Sequence, residues 1–403
     1  DLCLMLRCEE SEALQRVFNR KVTNGASEEQ AAKGQEVTQR IADLVKGSAS
    51  RADVQVTLKG GSGADAFQAS DVTISNGHPP PSLLAVGLNP AFQKTLQLPT
   101  FTVNNVNRAS SVSISCGGKG QHVAIAANTM AKGSTIIAHF LGKRGEQGKT
   151  IHSLLEDAGI QQAVEWTDEG TRTCTTLLDL ATNQMTELIE PSDTVSAEAV
   201  ANLTRTVHNA LPTSKGVALC GTFPPGVDES VYASVATSMP PDAVLLLDGF
   251  KGVSATLATG RVDCLKINSE ELHMLTGIEG DDDDAAASKC IRQHLSARGC
   301  LAITRGPAKA TLYSHHSSEA DKLEAVDFEI PPLDAVNPIG AGDTCTAGML
   351  YGLAGGYAQV DAFRWGLACA SASCLSLKGA DFALSKAADI YAGITLSAPR
   401  TIA

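Results

Sequence analysis

From Leu83 onward the chain repeats one pattern: a short run of apolar residues, then a longer stretch of helical character. "LLAVGL", "TIIAHFL", "GVALCG", "AVLLLD", "CLKIN" and "LAITRG" are the runs, and helices are expected over 121–132, 147–158, 229–238 and 285–298 among the intervening segments. A strand that is apolar at consecutive positions must be covered on both faces, which parallel sheets wrapped in helices achieve. The alternation therefore predicts an α/β fold with a mostly parallel central sheet. Two segments break the rhythm, near 94–115 and 172–190, where polar and apolar residues alternate as in "TCTTLLDLATNQMTELIE". That period predicts half-exposed antiparallel strands, forming a small β lid that projects from the main sheet.

The first 81 residues differ in character. "EESEALQRVFNR" (9–20) and "SEEQAAKGQEVTQRIADLVKG" (27–47) read as helices, the second opened by a capping box from Ser27 to Gln30 and closed by Gly47. "DLCLMLRC" reads as an apolar helix start or the remnant of a leader, since the chain begins with Asp1 and not Met. "SNGHPPPS" reads as a linker. The expected division is 1–81, a helical extension and linker, and 82–403, the main domain.

With 403 residues, 43% hydrophobic and 19% charged, the chain can bury a large core. Its 32 basic and 44 acidic residues give a net charge of −12, which argues against nucleic acid or an anionic membrane as the principal partner. No apolar run approaches the ~18 residues of a membrane span. The 11 cysteines contain no C-x-x-C pair, which points to buried thiols in a reducing compartment, the cytoplasm or an organelle interior, and not to disulfides or a zinc site.

The Gly-rich pieces follow the apolar runs, where open α/β sheets bind ligands. "NPIGAGDTCTAGML" (337–350) places Asp343 behind Gly340, Ala341 and Gly342. Asp343 is either a helix N-cap or a base beside an anion site made by backbone amides. "CGGKGQHVAIA" (116–126) carries Gly118 and Lys119 into a helix, and "GTRT" puts Arg172 on a lid strand. "GLNPAFQ", "CGTFPPG", "KINSEEL" and "TRG" follow other strands. The run Asp281 to Asp284 fits a solvated loop and a helix N-terminus better than a metal site. The absence of G-x-G-x-x-G after the first strand disfavours a nicotinamide dehydrogenase.

In this order, N-P, G-G-K-G, T-R, G-x-x-P-x-G, K-x-N-x-x-E, T-x-G and N-P-x-G-A-G-D-T-x-x-A-G, the motifs resemble the PfkB branch of the ribokinase-like sugar kinases. They are most similar to its 1-phosphofructokinase and tagatose-6-phosphate kinase group, over roughly residues 83 to 395. The resemblance implies a ribokinase-like three-layer sandwich and ATP-dependent phosphorylation of a phosphorylated hexose, of the fructose 1-phosphate, tagatose 6-phosphate or fructose 6-phosphate type. It implies that Asp343 is the general base and that the amides of Gly340, Ala341 and Gly342 form the anion hole. Asn89, Gln93, Gly118, Lys119, His122 and Arg172 match substrate-binding positions, with Lys119 and Arg172 gripping the phosphate. Asn268, Thr304, Gly306, Gly379 and Ala380 match ATP-binding positions, and Glu271 matches the acid that organises Mg2+ through water.

Three positions depart from the family pattern. Gln93 replaces an aspartate, His122 an asparagine, and Lys309 a glycine of the nucleotide loop. Two readings follow: a kinase of altered specificity, or a weak or inactive pseudokinase serving as a scaffold or as a subunit of a larger assembly. Exposed apolar lid residues, Leu178, Leu180 and Leu188, predict a homodimer joined through the lids; residues 1–81 are the alternative docking element.

Overall fold

A computed structural model of the chain describes the backbone of 2–6, 54–58 and 72–75, and residues 80–280, 282–296, 298–307, 309–315 and 322–402 in full. The chain divides into two compact units, 1–80 and 81–403. In the first, β1 (Leu2–Leu6), β2 (Val54–Leu58) and β3 (Val72–Ser75) form an antiparallel sheet in that order. The helices expected over 9–20 and 27–47 lie outside the described residues. "DLCLMLRC" thus holds a strand and not a helix start; its apolar run has strand length, and its partner, "VQVTL", is rich in β-branched residues.

The second unit is built on an eleven-stranded sheet. Seven neighbours are parallel: β8 (Gln161–Gly170), β7 (Thr135–Arg144), β4 (Leu83–Val86), β11 (Gly216–Cys220), β12 (Val244–Asp248), β13 (Cys264–Asn268) and β14 (Cys300–Arg305). Antiparallel strands continue it through β15 (Lys309–His315) and β16 (Leu323–Glu329), with β17 (Thr395–Leu396) and β18 (Arg400–Ile402) both pairing with β16.

Successive side chains of the parallel strands go to opposite cores, as the strand period requires. Leu83, Ala85, Ala218, Leu246 and Ala302 pack against α1 (Lys119–Met130), α2 (Gln147–Asp157), α8 (Ala341–Ala354), α9 (Gln359–Ser373) and α10 (Leu384–Gly393). Leu84, Val86, Val217, Leu247, Ile267 and Ile303 face the other helical layer, which includes α3 (Ala197–Ala210), α4 (Ser230–Ser238), α5 (Ser254–Ala258), α6 (Ser269–Thr276) and α7 (Asp283–His294). Each large apolar side chain so buried contributes about 1.5–3 kcal/mol, and this is what makes the consecutive apolar runs strands of a central sheet. Among the described residues no helix is long and apolar enough to cross a membrane.

The lid is a four-stranded sheet in the order β10 (Gln184–Ile189), β9 (Thr173–Asp179), β5 (Ala91–Leu98), β6 (Ser111–Gly117). Its central pair, β5 and β9, is parallel, whereas its two hairpins are antiparallel as expected. The physical reason is their common origin: β5 leaves the carboxyl edge just after β4, and β9 leaves it just after β8. Leu180 and Leu188 are exposed at 51% and 55%, but Leu178 is buried at 8%. β9 is an inner strand, and Leu178 turns to its covered face.

Candidate active site

The strand order reverses between β4 and β11. From β4 the chain builds outward through β7 and β8, and from β11 it builds the other way through β12, β13 and β14. At such a switch point the loops leave a crevice beyond the carboxyl ends. Here it is a cleft of about 150 Å³, lined by Gly87, Asn89, Lys119, Arg172, Thr222, Lys251 and Glu271 among others.

α1 begins at this cleft. A Cβ on Gly87 would lie 2.7 Å from the Cα of Gly120, and one on Gly120 would lie 2.4 Å from the Cα of Gly87. Two glycines are therefore needed for the helix start to touch the strand end, and this contact puts Lys119, the first helical residue, at the cleft. Its Nζ lies 2.7 Å from Asp248 Oδ1 and 3.9 Å from Glu271 Oε1. Arg172 lies on the far wall and donates to the carbonyls of Asn89 (3.1 Å) and Pro90 (3.4 Å). Asn89 in turn accepts from the Ser192 hydroxyl at 2.7 Å. Lys251, which has no counterpart among the residues singled out in sequence, adds a third cation to the lining and sits 5.4 Å from the centre of the Phe250 ring.

Beneath the cleft lies a buried charge network. Asp248 is wholly buried and also receives Lys266 Nζ at 3.4 Å and the Thr346 hydroxyl. Burial opposes its charge, but the ammonium groups of Lys119 and Lys266 and the hydrogen bonds hold the carboxyl well below the usual carboxylate range. Burial likewise pulls both lysines down, and Asp248 foremost pushes them above the ordinary ammonium value. All three groups are therefore charged at neutral pH. Sequence assigned a role neither to Asp248 nor to Lys266, the first residue of the K-x-N-x-x-E motif, although a signal existed: each is a charged residue in a largely apolar buried strand, a position that demands a partner.

α8 starts with Gly340 as its N-cap residue, in the left-handed region at φ 74°. A side chain there would be strained, and its Cβ would come within 3.0 Å of His122 Nδ1. Asp343 is consequently the third residue of the helix and makes no cap bond, so the N-cap reading is set aside. Its Oδ2 instead lies 2.8 Å from His122 Nδ1, in a buried contact. Of the three loop amides, that of Ala341 donates to the Pro338 carbonyl at 3.2 Å. Gly340 and Gly342 show no such bond among the described residues. Lys266 Nζ comes within 3.3 Å of the place where a Cβ on Gly342 would stand.

Several other expected residues lie elsewhere. Gln93 is buried inside the lid sheet, its amide donating to Thr176 Oγ1 at 2.8 Å, and it does not line the cleft. His122 and Gly118 also do not line it, and neither do Gly340, Ala341, Gly342 and Asp343, which lie next to it beside Lys266 and His122. Gln93 reaches from β5 to a hydroxyl of the neighbouring strand, which engages its amide nitrogen. Asn268 and Glu271 form a reciprocal capping box at the start of α6, the Asn268 amide donating to Glu271 Oε2 at 3.0 Å and the Glu271 amide to Asn268 Oδ1 at 2.8 Å. Thr304 is in register with Asn268, and Gly306 forms an exposed turn just beyond. Gly379 and the fully buried Ala380 pack behind Gly340 and His122.

The acidic run caps α7 through Asp282, which accepts from the Ala285 amide. Asp283 and Asp284 are not merely solvated: Asp283 pairs with Arg305 and His273, and Asp284 with Arg400 and Tyr313. Asp281 lies outside the described residues.

Residues 88–386 match the sequence profile of the pfkB family carbohydrate kinases. The chain belongs to that family. Among characterised relatives, a tagatose-6-phosphate kinase of Staphylococcus epidermidis is 25% identical over 278 residues, covering 67% of this chain and 85% of its own length. The pfkB domain also superimposes on solved structures. Phosphofructokinase-2 from Escherichia coli matches with a TM-score of 0.67 at 22% identity, over 78% of this chain and 99% of that one. Ribokinase from Thermotoga maritima matches with a TM-score of 0.61 at 16% identity, over 78% and 99%. The fold is therefore ribokinase-like, and pfkB family membership makes the chain a carbohydrate kinase that uses ATP as co-substrate.

Proposed function

We propose that this chain transfers the γ-phosphoryl group of ATP to a hydroxyl of a phosphorylated hexose of the fructose 1-phosphate, tagatose 6-phosphate or fructose 6-phosphate type. The observation that carries the reading is the cleft at the switch point, where Lys119, Arg172 and Lys251 face one small cavity in a chain of net charge −12. A locally cationic cavity on an acidic protein suits a substrate that already bears a phosphate. Asp343 takes the proton from the attacking hydroxyl. The amides of Gly340 and Gly342, at a helix N-terminus, and the nearby Lys266 ammonium meet the charge that develops on the transferring group. The Ala341 amide contributes less, being already bonded to Pro338.

The donor set fits Mg2+ held through water. Among the described residues no three acidic, histidine or cysteine side chains gather as a metal cage. Glu271 spends one oxygen on the capping box and turns the other toward the cleft. Mg2+ characteristically keeps several waters and takes one or two carboxylates together with substrate phosphates; when bound it would neutralise phosphate charge. Asn268, Thr304 and Gly306, on the adjacent strand ends, are the proposed nucleotide contacts, with Gly379 and Ala380 supporting the loop from behind. The exposed apolar residues of the lid support a homodimer joined there, and the unpaired thiols support a reducing compartment.

The removal of Gln93 from the cleft favours a shifted sugar preference. An ATP-coupled assay over a panel of hexose phosphates and free hexoses tests the proposal: turnover is expected on phosphorylated sugars and not on free ones. Arg172→Met is the cleaner variant, because Lys119 also holds Asp248. Loss of a charged hydrogen bond of about 1.5–3 kcal/mol should raise KM for the sugar phosphate about 10- to 100-fold and leave KM for ATP unchanged. Equal effects on both substrates would remove Arg172 from phosphate recognition.

A further inference from the structure

We propose that His122 is a positioning residue for Asp343, and that the ring has thereby been withdrawn from sugar recognition; this rests on the reading of Asp343 as the base. The contact is 2.8 Å between Nδ1 and Oδ2, too short for two bare acceptors, so a proton lies between them. The other ring nitrogen, Nε2, is buried and has no hydrogen-bond partner among the described residues. An imidazolium would put an N–H there with nothing to receive it, which is costly in a buried site. The ring is therefore neutral, with its proton on Nδ1.

The surroundings fix the ring in that pose. A Cβ on Gly340 would stand 3.0 Å from Nδ1 and one on Gly379 would stand 3.2 Å from Nε2, so the two glycines close on either end of the imidazole. His122 lies one turn after Lys119 on α1, so a single helix sets one residue at the cleft and the other under the base. The charged groups acting on Asp343 from the surrounding elements are Lys119 on α1 and Lys266 on β13; Asp248 on β12 pairs with both lysines.

The consequence is a division of labour between the two carboxylate oxygens. Oδ2 accepts from Nδ1–H, which leaves Oδ1 for the sugar hydroxyl. As the hydroxyl oxygen forms its bond to the γ-phosphorus and the bond to ADP breaks, the hydroxyl proton passes to Oδ1; His122 keeps its own proton throughout. A donor to the carboxylate favours its charged form, so removing the donor should move the acid limb of kcat to higher pH.

The test compares His122→Leu, His122→Asn and Asp343→Asn in the full chain. His122→Leu is expected to lower kcat by about tenfold or more, to leave KM for the hexose phosphate within about threefold, and to move the acid limb to higher pH. His122→Asn, which keeps a donor, should recover most of kcat and the parental limb. Imidazole 15N spectra of the parent should show Nδ1 protonated and Nε2 bare. A rise in KM with kcat and the acid limb unchanged would make His122 a sugar contact and overturn the proposal, as would a ring protonated on Nε2 alone. Should His122→Leu fail to fold, His122→Asn and the spectra decide. Asp343→Asn separates the two levels: if it retains turnover the base reading fails, whereas if it is inactive and His122→Leu is normal only the positioning role fails.

Discussion

The carboxyl edge of the main sheet and the face of the lid are built on opposite terms. At the edge, charged groups are buried and each is held by polar partners: Asp248 by two lysines and a threonine, Asp343 by a histidine. On the lid, apolar groups are exposed, and among the described residues nothing covers Val112, Ile114, Leu188 or Ile189. The difference follows from what each region must do. Charge that meets a developing phosphoryl charge is most effective when it is already fixed and shielded from water. A sheet face that stays apolar and open is one that another surface is expected to cover. Among the described residues, the buried charged groups of the edge have partners and the apolar face of the lid has none.

The largest expected effect breaks the edge. Asp248→Asn leaves Lys119 and Lys266 facing each other without their counter-charge, and loss of one partner of a buried pair costs about 3–5 kcal/mol. Urea unfolding at neutral pH measures this. Because the folded carboxyl is held below its ordinary value, its contribution is whole above the unfolded value of about 3.9 and is lost only as pH falls through the folded one. The deficit should therefore persist unchanged from pH 5 to pH 8, and a deficit that disappears on that range would place the stabilisation elsewhere.

A smaller effect should follow at the lid. Leu188→Glu is expected to cost no more than about 0.5 kcal/mol in the folded chain, as an exposed position allows, yet to convert a dimer into a monomer in sedimentation. A parent chain that is monomeric with and without substrates would show that the lid face is covered by something other than a second copy.

The same contrast governs what could be read from sequence. The central sheet was legible because its strands are apolar at successive positions, as in "VLLLD" and "CLKIN", and a run of that kind has few places to go. The order of the glycine loops was legible through the family resemblance. Pairings across the chain were not: Lys119 meets Asp248 across 129 positions and His122 meets Asp343 across 221. No local pattern encodes such contacts; they arise only when α1, β12 and α8 converge on one edge. Gln93 and His122 shared this fate. Both occupy positions that match substrate contacts in order, and both turn to neighbours, Thr176 and Asp343, that only the fold brings near. Leu178 failed for a local reason, since alternation tells which residues share a face of β9 but not which face is covered.

In the proposed function, the tied-down edge performs phosphoryl transfer through Asp343. Asp343→Asn tests it most directly, with single-turnover rates on the best sugar phosphate of the panel and ATP affinity measured in parallel. Loss of a general base should lower the rate by about 10²–10⁴ with ATP still bound at parental affinity. A rate within tenfold of the parent would show that Asp343 is not the base.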